Sequence, residues 1–247
     1  DERLEAKHIV LATGSEAVTL GISGEEYLVD NQGFLEMERL PRRIVLVGGG
    51  YIAAEFSHIA ARAGAEVTIL QQGDRMLTGF DPDLVGWLME KYEDIGVTLH
   101  AETTVERVEK TGDAFRVIAG GKGGTRTYDA DLVVHAAGRQ PDFASLDLDA
   151  GDVELRDGKL ALNQYLQSTS NPAVYAAGDT AQMGPSLTPV SNHDGKVVAA
   201  NLLDGNHITP NYTGVPSVAF TLPPIARVGL DEAQVREKGL KFRMQSD

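Results

Sequence analysis

Residues 42–72, RRIVLVGGGYIAAEFSHIAARAGAEVTILQQ, constrain what this chain can fold into more than any other stretch. They open on an apolar run, 44–47, rich in β-branched side chains, which reads as a strand buried on both faces. Gly48, Gly49 and Gly50 follow. Residues 51–63 then carry Ile52, Phe56, Ile59, Ala60 and Ala63 at helical spacing, and Gly64 stands where a helix would stop. A second apolar run, 67–70, completes a strand–helix–strand unit.

Inside that unit, Gly48-x-Gly50-x-x-Ala53 has the spacing of a dinucleotide-binding turn. Gly48 permits the tight exit from the strand, Gly50 lets backbone approach a pyrophosphate, and Ala53 lets the helix pack closely on the sheet. The helix N-terminus presents unpaired N–H groups and a partial positive charge. An acidic residue at the end of the second strand would favour NAD. That position holds Gln71, followed by Gln72, and neither is acidic or cationic. Arg75 is the nearest cation, placed either to reach a 2′-phosphate or to sit as a solvated loop charge, and the balance tips slightly toward NADP.

Composition narrows the classes further. With 247 residues and 42% apolar content, the chain can bury one large core or two modest ones. A net charge of −14 argues against nucleic acid and anionic membranes as partners. There is no cysteine, so the chain itself has no disulfide and no thiol chemistry. No apolar run approaches membrane-spanning length and no signal peptide opens the chain, which reads as cytoplasmic. It begins at Asp1 rather than Met and is already strand-like from residue 7, as a piece of something longer would be.

The remaining chain supplies further strand ends and helices. Residues 7–12 read as a short buried strand that ends in Ala12-Thr13-Gly14. A connector over 16–41 has Phe34 and Leu35 as its expected anchors. Asp81 and Pro82 read as N-cap and first residue of a helix with Leu84, Leu88, Tyr92 and Ile95 on one face, closed by Gly96. A third parallel strand is expected at 97–99, an alternating segment from Val105 to Val108, and a hairpin joining 115–118 to 126–128 across the glycine-rich 120–124. That glycine cluster resembles a phosphate loop only in composition, since no helix follows it. Residues 132–134 read as a buried strand ending in Ala137-Gly138-Arg139; two short strands and a turn are expected over 159–170, and 174–176 form a strand ending in Gly178-Asp179. Asp179 is placed either to accept hydrogen bonds from a sugar-like hydroxyl chain or to cap a helix. Residues 188–205 read as a helix with Val190, Val197, Val198, Leu202 and Leu203 inward and His193 on its polar face. From 215 on, two short strands, a helix over 231–238 and a strand over 240–243 are expected.

The segments LATGS (11–15), VGGGYIAAEF (47–56), AAGRQPD (136–142), VYAAGD (174–179), LTPV (187–190) and PSVAFTLPPIARVGL (216–230) occur in the order found in one family. Through them the chain resembles the glutathione reductase and dihydrolipoamide dehydrogenase family of pyridine nucleotide–disulfide oxidoreductases. The resemblance implies an α/β chain: a Rossmann-like NAD(P)-binding domain inserted in a partial FAD-binding domain, followed by the start of an α+β interface domain. It implies a tail of a first FAD segment over 1–40, the NAD(P) domain over 41–138, a second FAD segment over 139–212, and the interface domain from 213 to 247. By position, Gly48, Gly49, Gly50, Tyr51, Ile52, Ala53 and Glu55 would line the pyrophosphate and nicotinamide, with Gln71, Gln72 and Arg75 at the ribose and Val105 and Gly138 as further nucleotide contacts. Thr13, Gly14, Arg139, Gly178 and Asp179 would hold the flavin, and Thr188, Pro189 and Val190 would lie under its isoalloxazine.

The departures matter as much. The family's first FAD fingerprint and its CxxxxC redox pair are not in this sequence, and its His-Glu acid–base pair would lie beyond Asp247. No catalytic or metal-ligating residue is therefore expected here, and the chain alone is not expected to reduce a disulfide. The implied function is part of an FAD-dependent oxidoreductase, homodimeric at full length, passing hydride from NAD(P)H to flavin and on to a small-molecule acceptor. A disulfide, a quinone, oxygen or mercuric ion would serve. The competing reading is a nicotinamide-nucleotide-binding module without turnover.

Overall fold

The structure, a computed structural model, describes residues 4–245; the outermost residues of the first and last expected segments, 1–3 and 246–247, lie outside it. Strands β1 (Ile9–Leu11) and β2 (Ser15–Ala17) precede the short helix α1 (Asn31–Leu35). Then come β3 (Arg43–Val47), α2 (Tyr51–Arg62), β4 (Glu66–Leu70), α3 (Pro82–Asp94) and β5 (Val97–His100). β6 (Thr103–Thr111), β7 (Ala114–Gly121) and β8 (Gly124–Ala130) follow, then β9 (Leu132–His135) and β10 (Arg139–Pro141). The remainder holds β11 (Leu155–Arg156), β12 (Lys159–Leu160), β13 (Val174–Ala176), α4 (Thr188–Asp204), β14 (Ser217–Ala219), β15 (Ile225–Arg227) and α5 (Glu232–Glu237). Contacts gather these into two units, one from 4–16 with Arg139–Val215 and one from Ala17–Gly138 with 216–245.

The second unit is built on a parallel sheet in the order β5-β4-β3-β9. Numbered by chain position within the sheet, this is the 3-2-1-4 order of a mononucleotide-binding half. Side-chain alternation along β3 sends Ile44 and Leu46 to one face and Val45 and Val47 to the other. The first pair packs with Ala53, Phe56 and Ala60 of α2 and Val85, Leu88 and Tyr92 of α3. The second pair packs with Val105, Val108, Val117 and Ala130 of the antiparallel β6–β7–β8 sheet. Both faces of the parallel sheet are thus covered, which is why its strands read as continuous apolar runs. Helix α2 ends at Arg62, with Gly64 in the left-handed region (φ 97°) and the Ala65 N–H bonded back to Ala60 O at 3.0 Å. Asp81 caps α3 through the N–H groups of Asp83 and Leu84, with Pro82 as its first residue. The Tyr92 hydroxyl, buried under this core, donates to Ala54 O at 2.5 Å, and burial pushes its phenol pKa up. Replacing Tyr92 by Phe keeps the packing and removes that bond. A loss of about 1 kcal/mol, read as a Tm about 2–4 °C lower in a thermal melt, is the expected result.

Several sequence expectations are corrected here. Phe34 is buried and stacks on Phe56, but Leu35, its expected fellow anchor, is 68% exposed, because in a helix of one turn and a half consecutive residues cannot both face the core. Val85, not Leu84, is the fully buried residue in the first turn of α3. The chain after α5 forms no strand over 240–243: the Leu240 N–H closes back on Val235 O, and Phe242 lies beneath Arg236.

In the first unit β1 pairs in parallel with β13. β1 was expected to be buried, yet Ile9 is 53% and Val10 42% exposed, since β13 is its one strand neighbour among the described residues. Of the two short strands and a turn expected over 159–170, β12 lies in that range but pairs with β11 just before it, and across the turn the chain meets itself in a single antiparallel bridge, Leu162 with Ser168. Helix α4 buries Val190, Asp194, Val197, Val198 and Asn201, a face spaced i, i+4, i+7, i+8, i+11. Leu203, expected inward, is 83% exposed, because the fifth place on that face belongs to Asn201. The Asn201 amide donates to the carbonyls of Tyr165 and Ile208 and its oxygen accepts from the N–H groups of His207 and Ile208.

Candidate nucleotide and flavin sites

The turn between β3 and α2 carries the first site, within the second unit. Gly48 has φ 111°, and a Cβ there would stand 2.2 Å from Ala136 O, so the protein's own backbone demands glycine. Gly50 differs: it has φ −86° and ψ −160°, open to any residue, and a Cβ on it would meet nothing nearer than Ala136 O at 4.0 Å. No contact within the protein explains this glycine. A Cβ would only fill space in front of the α2 N-terminus, where backbone must be bare for a phosphate to approach. The Gly50 cap position offers no side-chain hydrogen bond and the first turn holds no acidic residue, so the orphan N–H groups and the positive end of the helix stay available. The residues present fit a dinucleotide pyrophosphate.

The other expected residues of this site spread along the C-terminal edge of the sheet. Ala53 is fully buried, Ile52 partly so, and Tyr51 is 39% exposed with its ring edge-on to Phe80 at 5.6 Å. A Cβ on Gly49 would lie 2.8 Å from the Gln71 side chain, so Gln71 sits over the glycine turn; its Nε2 donates to Arg75 O at 3.2 Å. Gln72 is exposed. Arg75 neither projects as a solvated charge nor offers a free fork: its guanidinium donates to the carbonyls of Leu77, Thr78 and Phe80. Glu55, a turn further along α2, accepts from the Phe220 N–H at 3.0 Å, which ties β14 to α2. Val105 is buried on β6, and Gly138 is exposed with φ 119°, its carbonyl accepting from the Val18 N–H at 3.2 Å.

The first unit gathers the expected flavin contacts. The Thr13 hydroxyl donates to Asp142 O at 2.6 Å and the Gly14 N–H donates to the Thr180 hydroxyl at 2.9 Å. Ser15 Oγ donates to Asp179 at 3.0 Å and accepts from Arg139 Nε at 3.0 Å; Arg139 also donates to Ser15 O. Asp179 lies inside a single 3₁₀ turn, Gly178–Thr180, rather than capping a helix. Thr188 and Pro189 open α4 and are exposed, while Val190 is buried. His193 accepts from the Asn211 N–H at 3.0 Å, a structural role.

Two residues that position this site escaped the sequence reading. Thr180 is fully buried and anchors Gly14. Asp194 is fully buried and accepts from the Gly178 N–H at 3.0 Å and the Tyr212 hydroxyl at 2.8 Å, holding the 3₁₀ turn from beneath. Burial and the carboxylate together push the Tyr212 phenol pKa up. The four-residue step from Val190 to Asp194 was the available signal, masked because a carboxylate ordinarily belongs to the solvated face of a helix.

Over 240 residues the chain is 33% identical to a mercuric reductase of Lysinibacillus sphaericus, covering 96% of this chain and 44% of that protein. It is 33% identical over 236 residues to a dihydrolipoyl dehydrogenase of Bacillus subtilis, 95% of this chain and 50% of that one. The solved HOCl-induced flavoprotein disulfide reductase RclA of Escherichia coli superposes with TM-score 0.84 at 28% identity, covering 94% of this chain and 53% of that one. The chain thus spans about half the length of the relatives it matches. Among the described residues no helix is long and apolar enough to cross a membrane. The family profile described as pyridine nucleotide-disulphide oxidoreductase matches residues 1–195, and the chain belongs to that family.

Proposed function

We propose that the second unit binds NAD(P)H at the α2 N-terminus and that the first unit supplies part of an FAD site, within a protein that passes hydride from NAD(P)H through flavin to a disulfide or similar small acceptor. On this reading 41–138 is the NAD(P) domain, 1–40 and 139–212 are flavin-domain segments and 213–247 opens the interface domain of a cytoplasmic homodimer. The single observation carrying it is Gly50, a glycine with no reason inside the protein, beside Gly48, which has one. The nucleotides supply the hydride chemistry. The chain's own part is to hold them. The amides of the α2 N-terminus would take the pyrophosphate, and Ala53 sets the depth of the helix against the sheet. Glu55, already fixed by the Phe220 N–H, would stand beside the nicotinamide. In the first unit, Asp179, braced by Ser15, would accept from ribityl hydroxyls, while Thr13, Gly14 and Thr180 fix the strand end beside it.

The test is a thermal melt of the 247-residue chain with NADH and with NADPH, followed by a visible spectrum after incubation with FAD and desalting. At a hundred times Kd a bound nucleotide stabilises by about 2.7 kcal/mol, a rise of roughly 5–10 °C. No rise with either nucleotide would overturn the reading. A rise without a retained flavin band would favour the second reading, a nucleotide-binding module without turnover.

A further inference from the structure

The hairpin whose glycines resembled a phosphate loop only in composition carries a cleft of about 140 Å³ at its tip. Alternation along β8 places Arg126, Tyr128 and Ala130 on one face, and Ala130 is fully buried. Opposite Arg126 on β7 is Ala119; on β6, Thr103 pairs with Gly121 and Val105 with Ala119. The small residues of the central strand leave a trough between Thr103 and Arg126. His100, at the end of β5, closes it, its ring 5.2 Å from that of Tyr128.

This trough adjoins the end of β4. The Gln71 N–H donates to His100 O, the Thr103 N–H to Gln71 O, and the Glu102 N–H to Gly73 O, each at 2.9 Å. The strand end where a bound dinucleotide's adenosine ribose belongs is thereby bonded, backbone to backbone, to the segment lining the cleft. Gln71 puts no carboxylate there to repel a second phosphate, and Arg75 is committed to its own loop.

The cleft itself has donors without acceptors. Among the described residues Arg126 makes no hydrogen bond or ion pair, and the Tyr128 hydroxyl is buried without a hydrogen-bond partner. A Cβ on Gly123 would stand 3.2 Å from an Arg126 nitrogen, so that glycine keeps the guanidinium clear. Glu102 also lines the cleft, but Lys122 pairs with it. His100 is held below its usual pKa, first by burial and then by the Arg126 charge beside it. Unmet donors, one of them a guanidinium, call for an acceptor-rich anion.

The geometry points to this cleft as a phosphate-monoester subsite, with Arg126 as its anchor and the 2′-phosphate of NADPH as its occupant. The inference rests on the dinucleotide reading above. Its test is calorimetric titration of the full chain, wild type and Arg126→Gln, with NADPH, NADH, 2′,5′-ADP, 5′-AMP and inorganic phosphate. Arg126 is exposed, and a melt of the variant checks that it folds. The expected result is that Arg126→Gln weakens NADPH and 2′,5′-ADP roughly 10- to 100-fold and leaves NADH and 5′-AMP unchanged, with Arg126→Lys in between. If the wild type binds both dinucleotides and Arg126→Gln changes neither, or lowers both equally, the subsite is overturned while the dinucleotide reading stands. If the wild type binds neither, both fall. Arg126-dependent binding of inorganic phosphate without preference for NADPH would overturn the 2′-phosphate as occupant.

Discussion

Replacing Gly48 by alanine is expected to destabilise the parallel-sheet unit by about 3–5 kcal/mol, whereas the same change at Gly50 leaves its stability unchanged and weakens nucleotide binding. The two positions are two residues apart in one turn, yet they are glycine for different reasons. At Gly48 the backbone has φ 111°, and the added Cβ would overlap Ala136 O at 2.2 Å and Ala137 Cα at 2.6 Å. These are main-chain atoms of the segment leaving β9, which pairs with β3, so they cannot yield without opening the ladder. At Gly50 the conformation suits alanine and the nearest atom is 4.0 Å away. The methyl group would occupy the approach to the helix N-terminus. Losing charge-assisted bonds from those amides corresponds to roughly 10- to 100-fold weaker binding of NADH and NADPH alike. Melting curves and titrations of the two variants separate the cases. A Gly48→Ala protein melting with the wild type would sink the steric argument. A Gly50→Ala protein binding as the wild type does would sink the assignment of the pyrophosphate to α2.

Removing Asp194 is the second large effect. Its carboxylate is fully buried and serves two donors, the Gly178 N–H and the Tyr212 hydroxyl. In Asp194→Ala both lose their acceptor inside the protein, at about 1–3 kcal/mol each, so a loss of about 3–4 kcal/mol is expected. Asp194→Asn keeps one accepting oxygen for Gly178 and should cost clearly less. The change should also loosen the turn that carries Asp179, so flavin retention after desalting should fall in Asp194→Ala even below its melting temperature. Equal melting of Asp194→Ala and wild type would show that the turn is held by other contacts. Unchanged flavin retention would separate Asp194 from the flavin site.

Residues 42–72 were legible because their signals are local. Alternation on β3, helical spacing on α2 and the glycines between them are set by steric and hydrogen-bonding rules that reach only a few residues along the chain. The same holds for the Asp81-Pro82 start of α3 and for the helix expected from Asp231, which is α5. These rules also showed that the inner face of α4 begins at Val190, but not that it continues through Asp194 and Asn201. A buried polar residue looks like a surface residue until its partners are known, and Asn201 meets its own in Tyr165, His207 and Ile208.

What the sequence by itself determined was the order of strands and helices from β3 to β9, the parallel α/β character and the two turns with glycine at strand ends. Only the tertiary structure decided what each polar side chain does. It spends Arg75 on three carbonyls of its own loop and leaves Arg126, fifty-one residues later, without a hydrogen-bond or ion-pair partner among the described residues, lining the cleft with His100. It ties Glu55 to Phe220 across 165 residues and buries Asp194 beneath Gly178. The physical reason is range. Periodicity and caps come from the backbone's own geometry and are written within a turn or two. The fate of a charge depends on which donors and acceptors arrive from distant segments, and on whether water is excluded when they do.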